Sequence, residues 1–279
     1  MPTPTDFSSP LYWSNRFESE NSFEWLISDE DLLPFIQESL PSSFADDQKE
    51  DTEDVLNILH FGSGTSSLGP SFQHHLDTRQ KGKGKAKQVQ VYDSDYVPTP
   101  TTTSSSVVPF LLLDVLSLSS LMQNLPGGGE EKWNLVIDKS TCDAISCGGA
   151  LSIDGPSIFE VGLDEEGRVI ASISDPIERL LYNLSQVTQT GGRWISISYS
   201  SNRFDNYLSD WPSAHKQEHE KGHGDNEKEI KYGWILLKRQ MISTTYIPSG
   251  RVVKDPRTGE ERVVHEPETG VWMYVLERV

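Results

Sequence analysis

The sequence predicts an α/β fold: a mostly parallel, twisted seven-stranded sheet ending in an antiparallel hairpin, with helices on both faces. Three observations predict it. Short apolar runs of strand length recur along the 279 residues, separated by helical or polar segments. The first four runs end in glycine or acid, and strand ends of that kind line the ligand crevice of an open parallel sheet. The last two runs have no clear helix between them, which suits an antiparallel pair.

Residues 11–40 read as a helical N-terminal arm rich in aromatics: Tyr12, Trp13, Phe17, Phe23, Trp25 and Phe35. A polar, acidic loop follows over 41–54. The first strand spans about 55–61 and runs into Gly62-Ser63-Gly64, after which a helix is expected over about 66–77. Val89–Asp93 is the second strand, 110–115 the third and Trp133–Lys139 the fourth. A helix over 176–190 has Ile177, Leu180, Leu181, Leu184 and Val187 at helical spacing and stops at Gly191-Gly192. The fifth strand spans 193–199, and the last two lie at 232–237 and 270–276, joined by a polar segment with turn signals at 248–250 and 255–256. The domain division expected is an arm over 1–40 and one domain over 41–279. Polar insertions are expected near 78–88, 97–106, 146–175 and 212–230, where Lys/Gly alternation, Pro/Thr/Ser runs and acidic stretches resist a core.

Composition narrows the class. There are 42 acidic residues against 24 basic, a formal charge of −18, which argues against a general nucleic-acid binder. The charge is compatible with a basic protein partner, and acidity also serves solubility. Cys142 and Cys147 are the two cysteines, and two free thiols fit a reduced, cytoplasmic protein better than a disulfide scaffold. No apolar run is long enough to span a membrane, and the N-terminal residues lack the pattern of a signal peptide. His215, His219 and His223 recur every four residues, but their Gln/Glu/Lys/Gly surroundings read as a solvated insertion, so no metal site is expected.

The strand ends carry the chemistry. Gly62 and Gly64 allow close backbone approach to a ligand. Asp93 after the second strand suits two ribose hydroxyls, and Asp114 after the third suits an adenine amino group. Asp138-Lys139 ends the fourth. A single acid after a strand is usually a cap, but three after successive strands point to one crevice. Arg16 is either a surface charge or a guanidinium able to hold a cofactor carboxylate. Trp13 and Trp25 are either core aromatics of the arm or walls of a site. A nicotinamide dinucleotide enzyme fits less well, since Ser67 stands where the third glycine of G-x-G-x-x-G would fall.

In these residues the chain resembles the class I S-adenosylmethionine-dependent methyltransferases. Within them it is similar to the group of the elongation factor 1-alpha lysine methyltransferases. The resemblance rests on Tyr12-Trp13-Ser14-Asn15-Arg16-Phe17, Phe23-Glu24-Trp25, Gly62-Ser63-Gly64-Thr65-Ser66, Asp138-Lys139-Ser140-Thr141-Cys142-Asp143-Ala144 and Gly191-Gly192-Arg193-Trp194. It implies a Rossmann-like methyltransferase fold, S-adenosylmethionine as cofactor and a protein substrate, with a lysine as acceptor and a translation factor among the candidates. It also implies that Trp13, Phe17 and Trp25 wall the cofactor, that Gly62 and Gly64 approach its methionine part, that Asp114 and Val115 contact the adenine and that Lys139 lies alongside. The ribose acid is Asp93 by strand count, with Asp95-Tyr96 as the alternative. The chain departs from the group at Ser140, where glycine is usual, and at Cys142, where leucine is usual. A non-catalytic methyltransferase-like module that binds a partner, and a small-molecule methyltransferase, are the competing classes.

Overall fold

The structure is a computed structural model that describes residues 6–20, 25–44, 55–80, 87–99, 107–148, 173–208, 231–245, 251–254, 261–264 and 269–279. At its centre β1 (Leu56–Phe61) is buried along its whole length, as a parallel strand covered on both faces must be. β2 (Val89–Asp95) and β3 (Phe110–Leu112) follow on one side of it, and β4 (Trp133–Lys139) and β5 (Thr188–Ser198) on the other. Then come β6 (Trp234–Thr245), a small hairpin of β7 (Arg251–Lys254) and β8 (Glu261–Val264), and β9 (Thr269–Arg278).

The main sheet has the strand order β3-β2-β1-β4-β5-β9-β6. β1 to β5 pair in parallel, whereas β9 is antiparallel to both β5 and β6. This is the predicted mixed, mostly parallel, Rossmann-like sheet, with the reversed last strand inserted before β6. The order reverses between β1 and β4, which puts a crevice at their carboxyl ends.

Alternation along the strands builds one core on each face. Leu56 and Ile58 of β1 join Leu32 and Ile36 of α2 (Asp29–Glu38) and Phe72 and Leu76 of α3 (Leu68–Gln80). Leu59 and Phe61 face the other way, to a cluster with Leu121 of α4 (Leu118–Gln123) and Leu180 and Leu184 of α7 (Pro176–Val187). Two shorter helices complete the order: the single turn α5 (Pro126–Gly129), and α6 (Thr141–Cys147) directly after β4. The helices thus lie on both faces, as expected.

Several boundaries differ from expectation. The arm is two helices, α1 (Pro10–Ser19) and α2, each started by a serine cap: Ser9 accepts from Tyr12 N–H and Ser28 from Asp31 N–H. β2 runs on to Asp95 because Ser94 is sealed between Phe61 and Leu111 in the ladder, while β3 stops at Leu112. α7 ends at Val187, because Thr188 already pairs with Trp133. The hairpin of β7 and β8 occupies part of the segment read as polar turns. The segments 81–86, 100–106, 149–172 and 209–230, which hold most of the expected insertions and His215, His219 and His223, lie outside the described residues, as does Phe23. No helix among the described residues is long and apolar enough to cross a membrane.

Candidate ligand site

A cavity of about 530 Å³ opens where β1, β2 and β4 end. That is within the range of roughly 300–1,000 Å³ typical of ligand pockets. Its floor is the glycine turn after β1. Gly62 has φ +62°, and a Cβ there would sit 2.1 Å from Thr141 Oγ1 at the start of α6. Thr141 Oγ1 in turn donates toward the Gly62 carbonyl at 3.2 Å. Gly64, at φ +51°, packs against the Phe17 ring, 3.1 Å from where a Cβ would stand. Both positions favour glycine for their backbone conformation, and Gly62 needs it for space as well.

The acid facing the cavity from β2 is Asp95. Its Oδ2 accepts from Gly64 N–H at 3.1 Å and its Oδ1 from Val97 N–H at 3.2 Å. Burial pushes its carboxyl up to about 6, partly offset by these backbone donors and by His60 nearby. Asp114 lines the cavity from the loop after β3, with Val115 and Leu116 beside it. Asp114 Oδ1 accepts from Leu116 N–H at 2.9 Å, which fixes the turn that presents the carboxylate. Tyr96 stands next to Asp95 in the wall, its hydroxyl pushed well above its ordinary value by burial and by the surrounding acids.

The arm supplies the aromatic side. Trp13, Phe17 and Trp25 all line the cavity, joined by Phe7 and Pro10. Trp13 Nε1–H donates to the Phe7 carbonyl at 2.8 Å, and the Trp13 ring packs against Phe17 and Trp25. A salt-bridged anchor holds the arm down. Lys139 Nζ, at the end of β4, lies 3.2 Å from Asp29 Oδ1 of α2, and Asp29 Oδ2 accepts from Ser67 Oγ at 2.6 Å. Arg193 Nη1 donates to the carbonyls of Ser39 and Leu40, fixing the chain just past α2 to β5.

Of the expected site residues, the structure brings Trp13, Phe17, Trp25, Gly62, Gly64, Asp114, Val115 and Lys139 to one cavity. Three it places elsewhere. Asp93 faces α3, where a Cβ on Gly69 would fall 2.1 Å from its Oδ1, and its carboxylate is bound to His60 Nδ1 at 2.7 Å. The alternative acid, Asp95, holds the cavity position. Asp138 is wholly buried near the end of the central strand β4, accepting from Trp194 Nε1–H at 2.9 Å and Cys142 N–H at 3.1 Å, and burial raises it to about 6. Arg16 pairs with Glu20 at 2.9 Å and stacks 4.5 Å from the Trp25 ring centre, so it braces the aromatic wall from behind. Glu20, His60, Ser63, Thr141, Asp143 and Tyr199 join the lining without having been singled out. Of these, His60 had a legible signal, lying two residues before the first glycine on a strand whose other polar residue is Asn57.

The two unusual residues after β4 have clear settings. Ser140 takes the left-handed conformation, φ +68°, ahead of α6. That is a backbone where glycine is favoured. Cys142 is buried in the core with its thiol pushed well up by burial, and both cysteines are free. Among the described residues no cluster of His, Cys, Asp or Glu could hold a metal ion.

The lining suits S-adenosylmethionine on its own chemistry. Asp95 and Asp114 are acceptors for hydroxyl and amino donors. His60 Nε2 and Ser63 Oγ are buried polar atoms in the cavity wall with no hydrogen-bond partner among the described residues. Buried polar groups are rarely left so, and a polar ligand group in the cavity would satisfy them.

No protein-family model matches the chain. The chain is similar to the curated protein Methyltransferase srdJ of Neurospora crassa, 28% identical over 207 residues that span 73% of this chain and 71% of that protein. It also resembles a solved SAM-dependent methyltransferase from Anabaena variabilis, with TM-score 0.47, 12% identity, and coverage of 100% of this chain and 97% of that one. N-methyltransferase NodS from Bradyrhizobium japonicum, solved with S-adenosyl-L-homocysteine, aligns with TM-score 0.42, 10% identity, and coverage of 95% and 97%. The fold assignment rests on the strand order, and neither superposition adds to it.

Proposed function

We propose that the chain is an S-adenosylmethionine-dependent methyltransferase. The observation that carries this is one cavity joining the Gly62–Gly64 turn, the buried acid Asp95 tied to it at 3.1 Å, and the aromatic wall of the arm. The name of the Neurospora relative supports the same reading. Asp95 would accept from the ribose hydroxyls, and Asp114 with Val115 would meet the adenine. Gly62 and Gly64 would pass close to the methionine part, with Trp13, Phe17 and Trp25 over it.

When bound, S-adenosylmethionine supplies a methyl group already activated by a sulfonium. The chain's own work is to orient it, keep water away and shape the approach of the acceptor. Phe7, Trp13 and Tyr199 are among the aromatic residues of the lining. For the acceptor we favour a protein lysine. Aromatic, apolar surroundings disfavour an ammonium and so help deliver the neutral amine that attacks. Transfer from S-adenosylmethionine labelled in its methyl group into a cell lysate tests the reading. Label in the protein fraction that survives alkali and migrates as methyl-lysine supports it. Label in small molecules alone reassigns the acceptor, and no label above background leaves a binding module.

A further inference from the structure

We propose that His60 recognises the methyl donor directly: its Nε2 accepts a hydrogen bond from the ligand's cationic amino group, and Asp93 holds the imidazole in the tautomer that can do so. This rests on the reading of the cavity as a methyl-donor site.

The His60 side chain is 1% exposed, and its Nδ1 lies 2.7 Å from Asp93 Oδ1. The pairing is built into the sheet, since His60 and Asp93 are Cα partners in the parallel ladder of β1 and β2. The far side of Asp93 is closed by α3, whose Gly69 leaves no room even for a methyl group against the carboxylate. An ionised carboxylate accepts, so the proton of a neutral ring sits on Nδ1 and Nε2 keeps its lone pair. That lone pair has no donor among the described residues. The obvious internal candidate, the Lys139 ammonium, engages Asp29 Oδ1 at 3.2 Å and the Ile27 carbonyl at 3.5 Å.

The surroundings select the sign of the ligand group. His60 shares the cavity wall with Gly62, Ser63 and Asp95. Asp93 touches its ring at 2.7 Å. A bare acceptor beside two acids suits an ammonium and opposes a carboxylate. In S-adenosylmethionine the ammonium belongs to the methionine half, the part placed along the Gly62–Gly64 turn. Asp93 is then a positioning residue that never meets the ligand.

Calorimetric titration of the full chain with S-adenosyl-L-homocysteine and with methylthioadenosine, which lacks the amino-acid half, separates the contributions. His60→Phe is expected to weaken the homocysteine compound about tenfold and to leave methylthioadenosine nearly unchanged. His60→Gln, which keeps an acceptor, is expected to recover part of the loss. Nitrogen-15 spectra of the wild type test the tautomer without any variant. The account expects the His60 proton on Nδ1 and an Nε2 resonance that moves with S-adenosyl-L-homocysteine and stays with methylthioadenosine. Equal weakening of both ligands, no weakening, or a proton resting on Nε2 overturns the proposal while the methyl-donor site stands. Failure of the wild type to bind either nucleoside overturns both.

Discussion

The Gly64 N–H donates to Asp95 Oδ2 at 3.1 Å, so the turn after β1 and the end of β2 are one hydrogen-bonded unit. Asp95 is buried, and its carboxyl sits near 6. Ribose hydroxyls donate to its charged form, so binding favours ionisation. Affinity for S-adenosyl-L-homocysteine is expected to be full above about pH 7 and to fall about tenfold for each unit below 6. Asp95→Asn should bind weakly and lose most of that pH dependence; unchanged affinity or an unchanged slope would contradict the assignment. The effect on folding has the opposite sense. Because the folded value of about 6 exceeds the usual 3.9 or so, Asp95 contributes stability that is present below about pH 4 and lost as pH rises through 6.

Gly62→Ala tests the turn itself. The new Cβ would carry φ +62° and fall 2.1 Å from Thr141 Oγ1. The backbone conformation alone costs about 1–2 kcal/mol for a residue with a Cβ, and relieving the contact must move α6. Thermal denaturation should show a clear drop in Tm, and titration at least a tenfold loss of nucleoside affinity. A variant that melts and binds like the wild type would show that the turn is not the floor of the site.

How much of this was legible in the sequence follows from range. The sheet, its parallel part and the antiparallel pairing of its last two strands were legible, because apolar runs and their spacing are local signals. The choice between Asp93 and Asp95 was not. Val89, Val91, Asp93 and Asp95 alternate onto one face, and only the position of α3 covers Asp93 and leaves Asp95 in the cavity lining. Asp138 likewise reads as a strand-end acid, yet its partners Trp194 and Cys142 lie on the neighbouring strand and the next helix. Arg16 was read as a candidate for a carboxylate, and its own helix supplies one in Glu20. The break in the arm between α1 and α2 is marked by Ser28, a cap hidden in an aromatic-rich stretch.

Asp138→Ala should destabilise the fold by about 3 kcal/mol, since it strands two buried donors, Trp194 Nε1–H and Cys142 N–H. Urea denaturation measures it. A loss under about 1 kcal/mol would mean that the acid is not the structural acceptor described.

Ser140→Gly should do the reverse. Ser140 holds φ +68° and its side chain makes no cap to α6. Glycine removes the left-handed penalty at some entropic cost, for a net gain of about 0.5–1 kcal/mol in the same denaturation experiment. A loss of stability would show that the serine hydroxyl contributes more than its 3.4 Å contact with Asp143 suggests.

The central claim is that the cavity binds a methyl-donor nucleoside. Isothermal titration of the wild-type chain with S-adenosylmethionine tests it most directly, with Gly62→Arg and Asp114→Ala alongside. One-to-one binding in the wild type, abolished by the first variant and weakened by the second, is the predicted result. No measurable binding in the wild type, or equal binding in all three proteins, would contradict it.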